Sequence, residues 1–299
     1  MFSTNQYELV DFGGGRKLER FGRLLLDRPS PAARKFTRTR SDVWTTAHAR
    51  FQKISRSRGE WKRQPGVESR WPCQFGPIQV ELRTTPSGQI GVFPEQWENW
   101  NWLAGQLAKS EPGIRVLNLF AYTGVSSLIA ARCGAQVVHL DAASNVVAWA
   151  RDNAQLSGLG QQPIRWIVED VQKFARREHK RGNQYDAIIL DPPSFGHGPK
   201  GQQWHLENHL PALLQDCLAL TAGAPRFVLL TCHTSGVDAA QLTEALQRAG
   251  IPAGGCLEST ALALTTNGGR RLASGVVARW AKRTETVGNQ DWVRKDPLP

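Results

Sequence analysis

From residue 114 to residue 250 the chain alternates between short apolar runs and amphipathic stretches. "IRVLNLF" (114–120) is followed by "GVSSLIAARCGA", "QVVHLDA" (136–142) by "SNVVAWARDNAQLSGL", and "IRWIVED" (164–170) by "VQKFARREHKRG". "YDAIILD" (185–191) and "RFVLLTC" (226–232) repeat the pattern, with helical stretches at 209–221 and 238–250. The runs are too apolar to have one wet face, and the intervening stretches carry the helical period. Parallel neighbours need a crossover, and crossover helices cover both faces, so a doubly wound, mostly parallel α/β sheet is expected. Two apolar runs around "NGG" in 260–282 predict a closing hairpin, which makes seven strands with the last entering antiparallel.

In such a sheet, ligands bind beyond the carboxyl ends of the strands, where the strand order reverses. The first end carries Asn118, Phe120, Tyr122, Thr123 and Gly124 in "NLFAYTG". The second carries Asp141, the third Glu169 and Asp170, the fourth Asp191 and two prolines, the fifth Thr231 and Cys232. One glycine in the first turn is not the triplet that lets backbone approach a pyrophosphate. Asp141 follows Asn118 by 23 residues, near the offset at which an acid takes ribose hydroxyls. Asp170 is placed to accept from an exocyclic amine, or equally to cap the next helix. A nucleoside without phosphates fits, and S-adenosylmethionine is the obvious one.

"DPP" at 191–193 removes two backbone donors and blocks an immediate helix start. Asp191 is therefore expected on an extended segment, facing an acceptor's amino group or a proton released during methyl transfer. Cys232 lies one strand over. Carbon 5 of cytosine takes a methyl group only after a thiolate has added at carbon 6, and Cys232 is the candidate nucleophile; a packed strand-end residue is the competing reading. His233 follows it, but adjacent side chains on an extended chain diverge. The "GHGPKG" run (196–201) is a candidate lid.

The formal charge is +11, and residues 16–70 carry it all, with 16 Lys/Arg against 5 Asp/Glu. A polyanion partner, most simply RNA, is expected on that segment. Trp44, Phe51, Trp61 and Trp71 lie among the cations, where they could stack on bases or form core. Strands are expected at 7–12 and 17–29, little regular structure at 30–70 beyond one strand, a hairpin at 75–94 turning on "PSG", and a helix at 95–109 with a buried tryptophan stripe. Five scattered cysteines without zinc spacing point to reduced thiols and no metal. With no signal peptide or long apolar run, a cytoplasmic chain without a membrane span is expected.

"VLNLFAYTG", "LDAASNVVAWARDNAQLSGL", "DPPSF" and "LLTC" together resemble the class I S-adenosylmethionine-dependent methyltransferases related to the large-subunit ribosomal RNA cytosine-C5 enzymes. The resemblance spans 75–282 and implies a Rossmann-like domain. It implies cofactor contacts at Phe93, Gln96, Phe120, Tyr122, Thr123, Gly124, Asp141, Asp170 and Asp191, with Cys232 as nucleophile. His233 stands where that family typically has serine, and "DPPSF" is also similar to the "NPPY" of amino methyltransferases. The expected divisions are a basic β-rich region at 1–72, a hairpin element at 73–95, the methyltransferase domain at 96–284 and a tail at 285–299. The expected activity is RNA methylation at cytosine C5; a base nitrogen, a protein or small-molecule acceptor, or a binding module without catalysis are the alternatives.

Overall fold

The computed structural model describes residues 6–55 and 58–283; the expected tail at 285–299 lies outside them. The chain divides into two compact units, one formed by Met1–Trp97 with Ala263–Ser274, the other by Glu98–Leu262 with Gly275–Pro299.

The second unit holds the alternating segment. Its strands are β1 (Arg115–Leu119), β2 (Gln136–Asp141), β3 (Ile164–Val168), β4 (Ala187–Leu190) and β5 (Phe227–Cys232). The closing pair is β6 (Gly255–Thr265) and β7 (Arg271–Lys282). The sheet order is β3-β2-β1-β4-β5-β7-β6. β1 to β5 pair in parallel and β7 runs antiparallel to β5, as the sequence predicts. The order reverses between β1 and β4, so the switch point falls where "NLFAYTG" and "DPP" leave the sheet.

The helices are α1 (Trp97–Ala108), α2 (Val125–Arg132), α3 (Ser144–Leu156), α4 (Val171–Lys180), α5 (Leu206–Ala219) and α6 (Ala239–Arg248). Strand alternation sorts the side chains. Leu117, Leu119, Ile188, Leu190, Val228, Leu230 and Cys232 join one core cluster with Phe174 of α4, Leu213 and Leu214 of α5 and Leu242 of α6. The intervening positions face the other layer: Asn118 meets Ser127 of α2, and Phe227 packs edge-on against Trp102 of α1. Each fully buried leucine contributes about 2 kcal/mol of transfer free energy, which makes this two-faced burial the main stabiliser of the sheet. The tryptophan stripe is core as expected, with Trp97, Trp100, Leu103 and Leu107 all buried.

The first unit carries a five-stranded sheet: Tyr7–Gly13, Arg16–Phe21, Leu24–Pro29, Ala49–Lys53 and Gly59–Arg63 in that order. It has more regular structure than its composition suggests. Two strands and the short helix Ser41–Trp44 fall inside the stretch expected to hold at most one strand. The basic residues hide the alternation there: Phe51 pairs with Trp61 on one side of the strands while Arg50 pairs with Lys62 on the other. The hairpin expected at 75–94 is displaced. Arg70–Phe75 pairs with Ile78–Arg83, so the strands turn at 76–77. "PSG" does form a turn, closed by Gly88 N–H on Thr85 O, but no strand follows it. Trp44, Phe51 and Trp71 are buried, so these aromatics are core.

Candidate active site

The β1–α2 loop is shaped by left-handed backbone. Phe120 (φ 56°), Tyr122 (φ 51°) and Gly124 (φ 94°) all take positive φ. Two non-glycine residues held there cost about 1–3 kcal/mol each, and such strain collects at functional sites. Asp141, at the end of β2, holds the loop: its Oδ2 accepts from Tyr122 N–H at 3.0 Å and its Oδ1 from Ala143 N–H at 3.0 Å. Burial pushes the Asp141 carboxyl up from its ordinary value, against the pull of the backbone N–H groups of Ala143, Tyr122 and Ala142. Asn153 of α3 donates to Thr123 O at 2.9 Å, and Thr123 is buried.

Beneath the loop lies a polar relay. Asn118 Nδ2 donates to Ser127 Oγ at 2.8 Å, and Ser127 Oγ meets His139 Nδ1 at 2.9 Å. Burial, with Arg151 nearby, lowers His139 to about 3, so the ring is neutral at physiological pH. The Asn118 amide is thus committed to holding α2 against β1 and β2, with the residue only 2 % exposed. Asp170 takes the N-cap of α4, its Oδ1 accepting from Lys173 N–H at 2.9 Å.

The β4 and β5 ends are joined by side chains. Asp191 Oδ1 accepts from Thr231 Oγ1 at 2.6 Å and lies 3.3 Å from His233 Nε2. Ser194 Oγ meets Thr234 Oγ1 at 2.7 Å. No local pattern brings His233 to Asp191, since a free strand end would splay them. Gly275 of β7 supplies the reason: a Cβ there would lie 2.7 Å from His233 Nδ1, so a bare α-carbon lets the imidazole lie against β7. Asp191 and His233 are each about a third exposed at the side chain, open enough for a substrate to reach. Cys232 is different. It is 0 % exposed, in the apolar cluster under α5 and α6.

After the prolines the chain stays extended as expected. The expected lid, however, is a short hairpin of Phe195–His197 and Gln203–His205, tied down by Trp204 Nε1 donating to Pro193 O at 2.7 Å. Trp204 packs on Phe120 with ring centroids 4.8 Å apart, linking this hairpin to the β1 loop. Phe195 is half exposed between His197 and His205, and the "DPPSF" pattern is its signal in the sequence. Phe93 and Gln96, implied by resemblance, belong to the first unit, Phe93 as the residue before the 3-10 turn Pro94–Gln96. The other expected residues all belong to the second.

Residues 45–229 match the family of S-adenosylmethionine-dependent methyltransferases. The chain belongs to that family. A crystal structure of a SAM-dependent methyltransferase from Agrobacterium tumefaciens is similar over nearly the whole chain, with a TM-score of 0.88, 35 % identity and coverage of 93 % of this chain and 91 % of that one. The crystal structure of SMU.776 with SAH shares the fold at 17 % identity and a TM-score of 0.73 over 93 % of this chain and 75 % of that one. Ribosomal RNA large subunit methyltransferase I of Aeromonas hydrophila is 37 % identical over 169 residues, 54 % of this chain and 38 % of that protein. The protein of the same name from Tolumonas auensis is 30 % identical over 55 % of this chain and 40 % of its own length. The chain thus spans about two fifths of the length of these curated relatives.

The cofactor is S-adenosylmethionine, and the donor set fits it. Carboxylates at Asp141, Asp170 and Asp191 suit ribose hydroxyls, an amine and a cationic sulfonium, and would repel a pyrophosphate. Among the described residues no group of three or more His, Cys, Asp or Glu could hold a metal ion, and no helix is long and apolar enough to cross a membrane.

Proposed function

We propose that this methyltransferase modifies a base of RNA, with ribosomal RNA as the leading substrate. The observation that carries the chemistry is the Asp191–His233 pair across the ends of β4 and β5, with Asp191 on the strand that borders the reversal of strand order. The RNA substrate is supported by the basic N-terminal segment and by the names of the relatives that share half the chain. Asp141 would hold the ribose, Asp170 would face the adenine amine, and the β1 loop of Phe120, Tyr122, Thr123 and Gly124 would enclose the rest. Asn118 acts beneath the loop as a positioning residue. When bound, the cofactor supplies an electrophilic methyl group on a sulfonium.

The acceptor is best read as a base nitrogen. A nitrogen with its own lone pair needs no prior activation, only a group to take its proton, and Asp191 or His233 can do so. Phe195, exposed beside the prolines, offers a ring against which a base can lie. Cytosine C5 is the second reading, favoured by the position of Cys232 at the strand end next to His233. There the Cys232 thiolate adds to carbon 6, the electron pair at carbon 5 takes the methyl group, a base removes the carbon-5 proton, and the returning pair expels the thiolate. Reactive cysteines are partly exposed, and the full burial of Cys232 weighs against this route. Nucleoside mass spectrometry of ribosomal RNA from cells with and without the protein tests the proposal: one methylated nucleoside should disappear, and an unchanged profile would refute a ribosomal target.

A further inference from the structure

The positive charge of residues 16–70 is not a uniform surface. Arg16 and Arg50 pair with the buried Asp27, Lys17 and Arg28 with the buried Glu19, Arg20 with Glu8, Arg23 with Glu68 and Arg70 with Glu81. Burial alone would raise Glu19, but Arg28 and Lys17 hold it below its ordinary value, so these cations are structural counter-ions. Lys53 and Arg58 form no ion pair among the described residues, and both are exposed. They flank the tip that joins strands Ala49–Lys53 and Gly59–Arg63.

Both also line a cleft of about 560 Å³ contained within the first unit. Its wall includes Phe51, whose ring is fixed from two sides. A Cβ on Gly59 would lie 2.3 Å from that ring and one on Gly88 2.9 Å, so only glycine fits at either position. Trp61 meets the same ring edge-on at 5.3 Å. Ser87, Gln89 and Ser274 add polar groups to the lining. Lys17 and Arg28, both already paired with Glu19, and the carboxylate of Glu95 also line it. The cleft therefore offers two cations outside any ion pair, an apolar wall and neutral hydrogen-bonding groups beside one carboxylate, in a volume typical of small-ligand sites. A lone phosphate is too small for it, and a purely apolar ligand would leave the cations unused.

We infer that this cleft holds one nucleotide of single-stranded RNA, with its phosphate on Lys53 and Arg58 and its base and sugar inside. The inference rests on the RNA reading above and gives that reading a contact point within the first unit. Phosphate contacts of this kind fix register without reading sequence, and their number sets the salt dependence.

The test is fluorescence anisotropy of the full chain with a labelled 12-nucleotide single-stranded RNA at several salt concentrations. The double variant Lys53→Gln/Arg58→Gln should keep the wild-type melting temperature, because both side chains are exposed. Its Kd should rise at least tenfold, and the slope of log Kd against log salt should flatten by roughly 1.4, about 0.7 for each lost contact to a single strand. Arg248→Gln, which removes one exposed charge on α6, should change Kd less than twofold. Wild-type binding that the double variant matches would overturn the cleft inference and leave the RNA reading standing. Failure of the wild type to bind the RNA would overturn both.

Discussion

Replacing Cys232 with alanine separates the two acceptor chemistries. The thiol is wholly buried among Leu190, Leu230, Val276 and the helices α5 and α6. Its removal takes away one sulfur's worth of apolar contact and leaves a small void. Transfer and cavity contributions together come to about 1–2 kcal/mol. At roughly 2–4 °C per kcal/mol for a unit of this size, the melting temperature should fall by about 2–8 °C. A direct transfer to nitrogen leaves the chemical step alone, so kcat should stay within about tenfold of wild type, or about 1.4 kcal/mol. A covalent route loses its nucleophile, and kcat should drop by a factor on the order of 10³ or more, at least about 4 kcal/mol. The assay is single-turnover transfer of labelled methyl from S-adenosylmethionine to RNA, below the melting temperature of the variant. Loss of transfer with cofactor affinity and fold intact would refute the nitrogen reading. A denaturant-stable adduct of the wild type with RNA containing 5-fluorocytosine would do so independently.

Asp191→Asn and His233→Ala should each lower kcat by about 10²–10⁴ with little change in cofactor Kd, measured by single-turnover kinetics and calorimetry; unchanged rates would remove this pair from the chemistry. Asp141→Asn should weaken cofactor binding about 10- to 100-fold, since hydrogen bonds to a charged acceptor contribute about 1.5–3 kcal/mol; calorimetry reads it directly. His139 titrates at about 3 in the fold against 6.5 outside it, so the unfolded chain binds the extra proton between those values. Stability should therefore fall as pH drops below about 6.5, by about 2 kcal/mol between pH 7 and pH 5 from this group. Urea unfolding of His139→Gln should show a correspondingly flatter pH profile, and an unchanged slope would place the acid sensitivity elsewhere.

The sheet was legible because burial on both faces leaves an unmistakable run of apolar residues, as in "YDAIILD" and "RFVLLTC". The acids at the strand ends followed from it. What the sequence could not convey was side-chain direction. Asn118 looked like a ligand contact and turns down to Ser127; Cys232 looked like a nucleophile and turns into the core. Asp170 spends one oxygen on Lys173 N–H. His233 reaches Asp191 through Gly275, on a strand 42 residues further on, a long-range fit no local pattern encodes. The first unit was the harder part. Lys17, Arg28, Arg16 and Arg50 read as a charged surface until pairing placed them on two buried carboxylates. The strands Ala49–Lys53 and Gly59–Arg63 show their alternation only through Phe51 and Trp61.

The identity of the methyl acceptor, RNA or protein, is open to direct measurement. Incubating the purified chain with radiolabelled S-adenosylmethionine, ribosomal RNA and ribosomal protein measures it most directly. With RNA as acceptor, the label is acid-precipitable, released by ribonuclease and left in place by protease, and at least about 100-fold slower to appear with Asp191→Asn. Label that protease releases and ribonuclease leaves would contradict it.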